Sequence, residues 1–290
     1  MSKLGLGTAQ FGYKYGIANT SGKIKKFDAK NILLQAKKES IDLIDTAVSY
    51  GKSEKVIGDS GLKDFRIVSK LPTLPMNIKD IDKWLEQNVQ RSLLNLNQAS
   101  LYGLLVHRSK NLLGKNGKKL ISSLENLKNS GLVEKIGVSI YDPSELNNVM
   151  KLTKIDIVQA PLNIVDRRFE ISGWLSKLHE EKVEIHSRSV FLQGLLLLSQ
   201  NKIPKKFGRW SNIFEKFFLY LKKNKVNALE ACLSYPLSFS EIDKVIVGVD
   251  NINQLKKLIK ISQNNLLKYD FSFMTSNDQM LINPFNWEKL

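Results

Sequence analysis

The chain has 290 residues, of which 42% are hydrophobic and 25% charged; this is globular composition, long enough for one large α/β barrel or two medium domains. The lone Cys232 excludes an internal disulfide and reads as a small core residue, and no apolar run approaches a membrane span, "SVFLQGLLLLS" being too short. The net charge of +16 is spread over "KIKKFDAK", "KNGKK", "IPKKFGR", "LKKNK" and "QLKKLIK" without interleaved aromatics, which argues against a nucleic-acid or membrane partner and leaves attraction of anionic small molecules.

The first residues, "MSKLGLGTAQ", have no charged-then-apolar leader, so a cytoplasmic protein is expected. Short apolar runs then predict buried parallel strands in chain order: "LGLGT" (4–8), "IDLIDT" (41–46), "FRIVSK" (65–70), "LYGLLVH" (101–107), "KIGVS" (135–139), "IDIVQA" (155–160), "VEIHSR" (183–188) and "KVIVGV" (244–249). Stretches of helical period lie between them. These are "DAKNILLQAKKES", "DIDKWLEQNVQRSLLNLN", "GKKLISSLENLKNSG", "DPSELNNVMKL", "ISGWLSKLHEEK", "FLYLKKNKVNALEACLSY" and "NINQLKKLIKISQ". Asp142 reads as an N-cap with Pro143 at the first helical position. Eight strand–helix units predict an α/β fold, a single (β/α)8 TIM barrel over 1–290. An open doubly wound sheet is disfavoured because the first strand leads into "GTAQFGYKYG", not GxGxxG. A long loop at about 190–220 and a tail at about 269–290 break the rhythm.

In such a barrel the site forms at the C-terminal ends of the strands. Those ends carry Asp45, Lys70, His107, Ser139, Gln159, Arg188 and Gly248, with Tyr50 in the loop after the second strand. Each alone has an ordinary reading: Asp45 as a turn cap, Tyr50 as a loop aromatic, Lys70 as a solvated strand end and His107 as a structural histidine. Together, Asp45, Tyr50, Lys70 and His107 suit one task, protonating a carbonyl oxygen. Side chains supply no hydride, so carbonyl reduction implies a nicotinamide cofactor. A phenol near pKa 10 is a weak acid, and a nearby ammonium is expected to lower that value. An ion-paired aspartate would keep the lysine charged, and the histidine could orient the carbonyl.

The constellation resembles the aldo-keto reductase superfamily along nearly the whole chain. "LGLGTAQFG" is similar to its first strand and turn, and "IDTAVSYGKSEKVIG" to its Asp-Thr-Ala…Tyr-Gly signature. "IVSKLP", "LLVHR", "KIGVSIYDPSEL", "IVQAPLNIVDRR", "SRSVFLQGLLL" and "VIVGVDNINQLKKLI" resemble the segments that follow in order. The resemblance implies Asp45, Tyr50, Lys70 and His107 as catalytic tetrad, with Tyr50 as general acid and Ser53 and Glu54 opening the next helix. It implies Gly7, Thr8, Ala9 and Asp45 along the cofactor, Ser139 and Gln159 at the nicotinamide carboxamide, and Arg188 in place of a stacking aromatic. Ser189, Val190, Phe191, Gln193 and Gly194 would follow the diphosphate, and Gly248, Val249, Asp250 and Gln254 the adenosine ribose. Ile140 departs from the asparagine common after the serine. Asp250 departs from the basic residue that many NADPH users carry; Asn251, Gln254 and Lys257 could contact a phosphate. NADP(H) is expected over NAD(H), and no metal.

The substrate-binding residues expected are Phe11, Tyr13, Tyr50, His107, Tyr141, Arg168 and Trp210, with Tyr15 and Arg167 nearby. Aromatic faces and polar groups suit a small carbonyl or sugar substrate, and short bacterial relatives of this form are tied to polysaccharide synthesis. Alternatives are a sugar epimerase that retains its cofactor and a non-catalytic cofactor-sensing subunit.

Overall fold

The computed structural model describes residues 2–264 and 270–290, so the tail expected from about 269 is described from Asp270 onward. Eight parallel strands close into a barrel in sequence order: β1 (Leu4–Gly7), β2 (Leu43–Asp45), β3 (Arg66–Leu71), β4 (Leu101–Val106), β5 (Val133–Ser139), β6 (Ile157–Pro161), β7 (Glu184–Arg188) and β8 (Lys244–Gly248). β8 pairs with β1 through Leu4↔Val245 to Gly7↔Gly248, so neither edge is left open. The expected (β/α)8 barrel is the observed one, and each of the eight strand segments lies within two residues of its expected place.

Side-chain alternation sorts each strand between two cores. Leu43, Val68, Leu105, Ile157 and Ile246 form a separate cluster with Tyr102 packed on it, filling the barrel interior. Glycines face the bulkiest of them. A Cβ on Gly103 would stand 2.8 Å from Ile157 Cδ1, and one on Gly5 2.5 Å from Ile246 Cδ1. The large outer core lies between strands and helices, where the stripe Leu85, Val89, Leu93 and Leu96 of the helix Ile81–Leu96 is buried. Asp80 caps that helix through Lys83 N at 2.9 Å. Asp142 and Glu145 form a capping box ahead of Leu146–Leu152, with Pro143 inside it, as the sequence predicts.

The N-terminal end of the barrel is closed by charge. Asp42 accepts from Arg66 Nε at 2.7 Å and Lys244 Nζ at 2.6 Å. Glu184 accepts from Lys135 Nζ and Tyr102 Oη, both at 2.6 Å, and contacts His186 Nε2 at 2.7 Å. Against the desolvation of burial, these hydrogen bonds hold the Glu184 carboxyl well below the usual range.

Two expectations are corrected. The run "FLYLKKNKVNALEACLSY" is two helices, Ser211–Asn224 and Ala228–Leu237, because Lys225 turns left-handed and Asn227 caps a new start through Glu230 N at 2.9 Å. The long loop ends at Trp210, after 3-10 turns at Leu192–Leu197, Gln200–Lys202 and Lys205–Trp210. The tail is packed: Phe271, Met274, Leu281, Ile282 and Trp287 are buried in turns too short to show a period. Among the described residues no helix is long and apolar enough to cross a membrane.

Candidate active site

Asp45 closes β2, its backbone paired to Gly7 and Val68, so its side chain sits at the C-terminal mouth of the barrel. One residue before the end of β3, Lys70 faces it, with Nζ 2.6 Å from Asp45 Oδ1 and 2.9 Å from the Thr46 carbonyl. Both are nearly sealed, Lys70 at 1% and Asp45 at 4% exposure. Burial pulls the Lys70 ammonium pKa down, and Asp45 opposes the shift. Gln159 reaches across from β6 and donates Nε2 to the same Asp45 Oδ1 at 2.7 Å. Its Oε1 is buried without a partner among the described residues.

A tight turn delivers Tyr50. Its amide donates to the Ala47 carbonyl at 3.0 Å, and its own carbonyl accepts from Ser53 N at 3.0 Å. Ser53 does open the next helix, Ser53–Asp59, and is itself buried. Its hydroxyl donates toward Thr8 O and Thr8 Oγ1 at 2.9 and 2.8 Å, and Thr8 donates to the Asp45 carbonyl at 2.9 Å. Glu54 accepts from Ser69 Oγ at 2.7 Å. The turn is thereby tied to β1, β2 and β3. The Tyr50 ring lies 5.2 Å from Lys70 Nζ and meets the His107 ring edge-on at 6.2 Å. Tyr13 stacks edge-on against Tyr50 and Tyr15, at 6.1 and 5.9 Å. Asp45, Lys70, Tyr50 and His107 therefore meet at one end of the barrel.

Its electrostatics differ from expectation in one respect. Tyr50 is shifted well above 10, not below it, by desolvation first, then Asp45 and the neighbouring phenols; Arg188 works the other way. The Lys70 charge is balanced by Asp45 at contact distance, which is why it does not pull the phenol down. Tyr13 rises to about 12, also by desolvation first. His107 falls to about 3 through desolvation, Lys70, Arg188 and Arg108, so its imidazole is neutral at ordinary pH. Ser49 Oγ lies 3.4 Å from its Nδ1. The site thus holds a neutral phenol and a neutral imidazole over a matched ion pair, an arrangement able to hand a proton to an oxygen while resisting ionisation.

Of the expected cofactor residues, Gly7, Thr8, Ala9 and Asp45 lie beside the tetrad at β1 and β2, and the others follow β5 to β8. Ser139 and Gln159 are paired at the ends of β5 and β6, and both are buried. Arg188, at the end of β7, donates to the Ile140 carbonyl at 2.8 Å and to Ser189 Oγ at 3.1 Å, with its guanidinium 4.4 Å over the Tyr141 ring. Backbone φ is positive at Ser189, Leu192, Gln193 and Gly194, forming a compact hook through Val190 and Phe191. The direction of a Gly194 Cβ is filled by Ala18, 2.7 Å away, and Ile17 N donates to the Gln193 carbonyl at 2.9 Å. Asn19 Nδ2 donates to Asp250 Oδ1 at 2.8 Å, and burial raises the Asp250 carboxyl. Gln254 accepts from Asp250 N at 2.7 Å; Gly248 and Val249 lead into that contact, and the Gln10 amide packs on Gly248. The segment after β1 therefore bridges the β7 and β8 loops. Sequence reasoning missed Asn19, 231 positions from Asp250, because no motif marks it. Ala9 is buried beside Thr8.

Four residues considered for the substrate are held by protein partners. Phe11 turns into the core at 1% exposure. Arg168 is held by Asp166 through Nε at 2.8 Å and NH2 at 2.9 Å, by the Asp142 carboxylate and by the Tyr141 carbonyl at 2.9 Å. Arg167 pairs with Glu170 and Tyr235. Trp210 is packed beside Phe207 and donates to Asp278 at 3.1 Å, anchoring the loop. Tyr141 instead joins Phe285 edge-on at 5.4 Å, bringing the tail to the mouth.

The model of the aldo/keto reductase family matches residues 3–278. An uncharacterized oxidoreductase of Bacillus subtilis, YqkF, is 26% identical over 282 residues, 90% of each chain. The holo form of aldo-keto reductase AKR11C1 from Bacillus halodurans superposes with a TM-score of 0.74 at 19% identity, covering 92% of this chain and 88% of that one. Glycerol dehydrogenase AKR11B4 from Gluconobacter oxydans gives 0.70 at 19% identity with the same coverage, likenesses that carry the fold.

Proposed function

Because the chain belongs to the aldo/keto reductase family, we propose that it reduces an aldehyde, ketone or keto-sugar to the alcohol, with Tyr50 as general acid. The carrying observation is the sealed Lys70–Asp45 pair beneath Tyr50, with His107 edge-on to the same phenol. A bound nicotinamide cofactor supplies the hydride in this chemistry. Tyr50 gives its phenolic proton to the carbonyl oxygen. The Lys70–Asp45 pair lies beneath the ring, and Arg188, the group that draws the Tyr50 phenol down, favours the phenolate left behind. Neutral His107 offers the carbonyl oxygen a hydrogen bond. Ser139 and the partnerless Gln159 Oε1 fit a planar amide with donors and acceptors, and the 189–194 hook and Asp250 fit the diphosphate and ribose.

The reading carries NADP(H) as the preferred cofactor. The Asn19 bond and the raised Asp250 carboxyl weaken the repulsion that a bare carboxylate would exert on a 2′-phosphate. The test is oxidation of NADPH or NADH against a panel of aldehydes, ketones and keto-sugars, with Tyr50→Phe as control. The variant is expected to lose at least about 10²-fold in kcat while binding cofactor within a few-fold of the parent. Equal activity would remove Tyr50 from its role. One observation favours a second reading, an epimerase with retained cofactor: the Gly16–Asn19 bridge over Gln193 and Gly194 would slow cofactor exchange. Nicotinamide absorbance in the purified protein distinguishes it.

A further inference from the structure

Resting on the reading above, in which the nicotinamide is held beside Ser139, Gln159 and Arg188, we propose that Arg188 makes the site select the reduced cofactor over the oxidised one. Lys70 and Asp45 cancel at 2.6 Å, and Tyr50 and His107 are neutral. Arg188 remains as a cation whose described partners are a carbonyl, a hydroxyl and an aromatic face, none of them anionic. Its guanidinium is anchored to the carbonyl of Ile140, the residue after Ser139, and its strand position pairs with Pro161, two residues beyond Gln159. It therefore lies at the same barrel end as the two proposed carboxamide ligands and the tetrad. Its charge acts there on Tyr15, Tyr50, Lys70 and His107.

The two cofactor forms differ by one unit of charge at the ring. The oxidised pyridinium is cationic, and the dihydropyridine, which has gained a hydride, is neutral. A fixed guanidinium repels only the first. A desolvated cation at short range discriminates on the order of tenfold, which corresponds to about 1.4 kcal/mol. The site is then loaded by the reduced form, and the oxidised form leaves readily once the hydride has passed to the carbonyl carbon and the Tyr50 proton to its oxygen. An uncharged aromatic at position 188 would lack this bias.

The test is fluorescence titration of the protein with NADPH and NADP+, and with NADH and NAD+, in the absence of carbonyl substrate. The parent is expected to bind the reduced form about tenfold tighter or more. Arg188→Gln should bring the ratio close to one, and Arg188→Lys should keep most of it. A parent ratio near one, or an Arg188→Gln ratio equal to the parent's, overturns the proposal, and the parent measurement stands even if the glutamine variant fails to fold. A rise in KM confined to carboxylate-bearing substrates, with the cofactor ratio unchanged in Arg188→Gln, would make Arg188 a substrate anchor and equally overturn it. If no cofactor form binds the parent, the reductase reading itself fails, an outcome distinct from a ratio of one.

Discussion

His107 shows how a single residue carries the character of the site. Desolvation, reinforced by Lys70, Arg188 and Arg108, takes its pKa from 6.5 to about 3. Between those values the unfolded chain binds a proton that the folded chain refuses. Stability is thus complete above pH 6.5 and declines as the pH falls toward 3, by at most about 1.4 kcal/mol per pH unit, less with solvent screening. His107→Gln should remove that component, so urea midpoints of variant and parent should diverge below pH 6 in the variant's favour. Parallel acid profiles would show that His107 is not held neutral. Lys70 poses the complementary case. Lys70→Met leaves Asp45 buried with Gln159 as its remaining side-chain partner, a loss of about 3–5 kcal/mol. A denaturation curve with less than 1 kcal/mol of loss would mean that water reaches the carboxylate.

At the scale of elements, the site depends on how closely the segments after β1 and β2 approach. Gly12 ends the short helix Ala9–Gly12, and a Cβ there would fall 1.7 Å from the Tyr50 carbonyl oxygen. Gly12→Ala should therefore push the Tyr50 turn aside and lower kcat on the order of 10²-fold, with the thermal midpoint as control for folding. Unchanged kcat would mean that the two loops are free to separate. Such contacts explain what was legible in the chain. Each strand announced itself as an apolar run, and Asp45, Tyr50, Lys70 and His107 each stood at or just after a strand end, where the barrel collects side chains. The contact of Gly12 with Tyr50, the bond of Asn19 with Asp250 and the burial of Phe11 left no local trace, because each depends on where another loop passes. Lys225 marks a further limit: a lysine in left-handed conformation breaks a helical period that the residue types alone continue.

At the scale of the whole molecule, the tail belongs to the fold. Trp287 donates to the Leu281 carbonyl at 3.0 Å and meets Phe207 edge-on at 5.0 Å, while Lys206 reaches the Trp287 carbonyl at 2.7 Å. It joins the chain end to the long loop after β7. Trp287→Ala should cost about 3–5 kcal/mol, and a urea midpoint unchanged from the parent would show the tail to be dispensable. The opposite barrel end, with Asp42, Glu184 and their cations, is a stabilising lid remote from the chemistry. By itself the sequence determined the barrel and the places of Asp45, Tyr50, Lys70 and His107 at or just after strand ends, because hydrophobic periodicity and strand-end position are local properties that survive without coordinates. The tertiary structure alone decided the charge state of the pocket. A pKa depends on burial and on neighbours from other strands, and this is why Tyr50 rose where a nearby lysine suggested a fall; Arg188 is a cation whose partners among the described residues carry no charge.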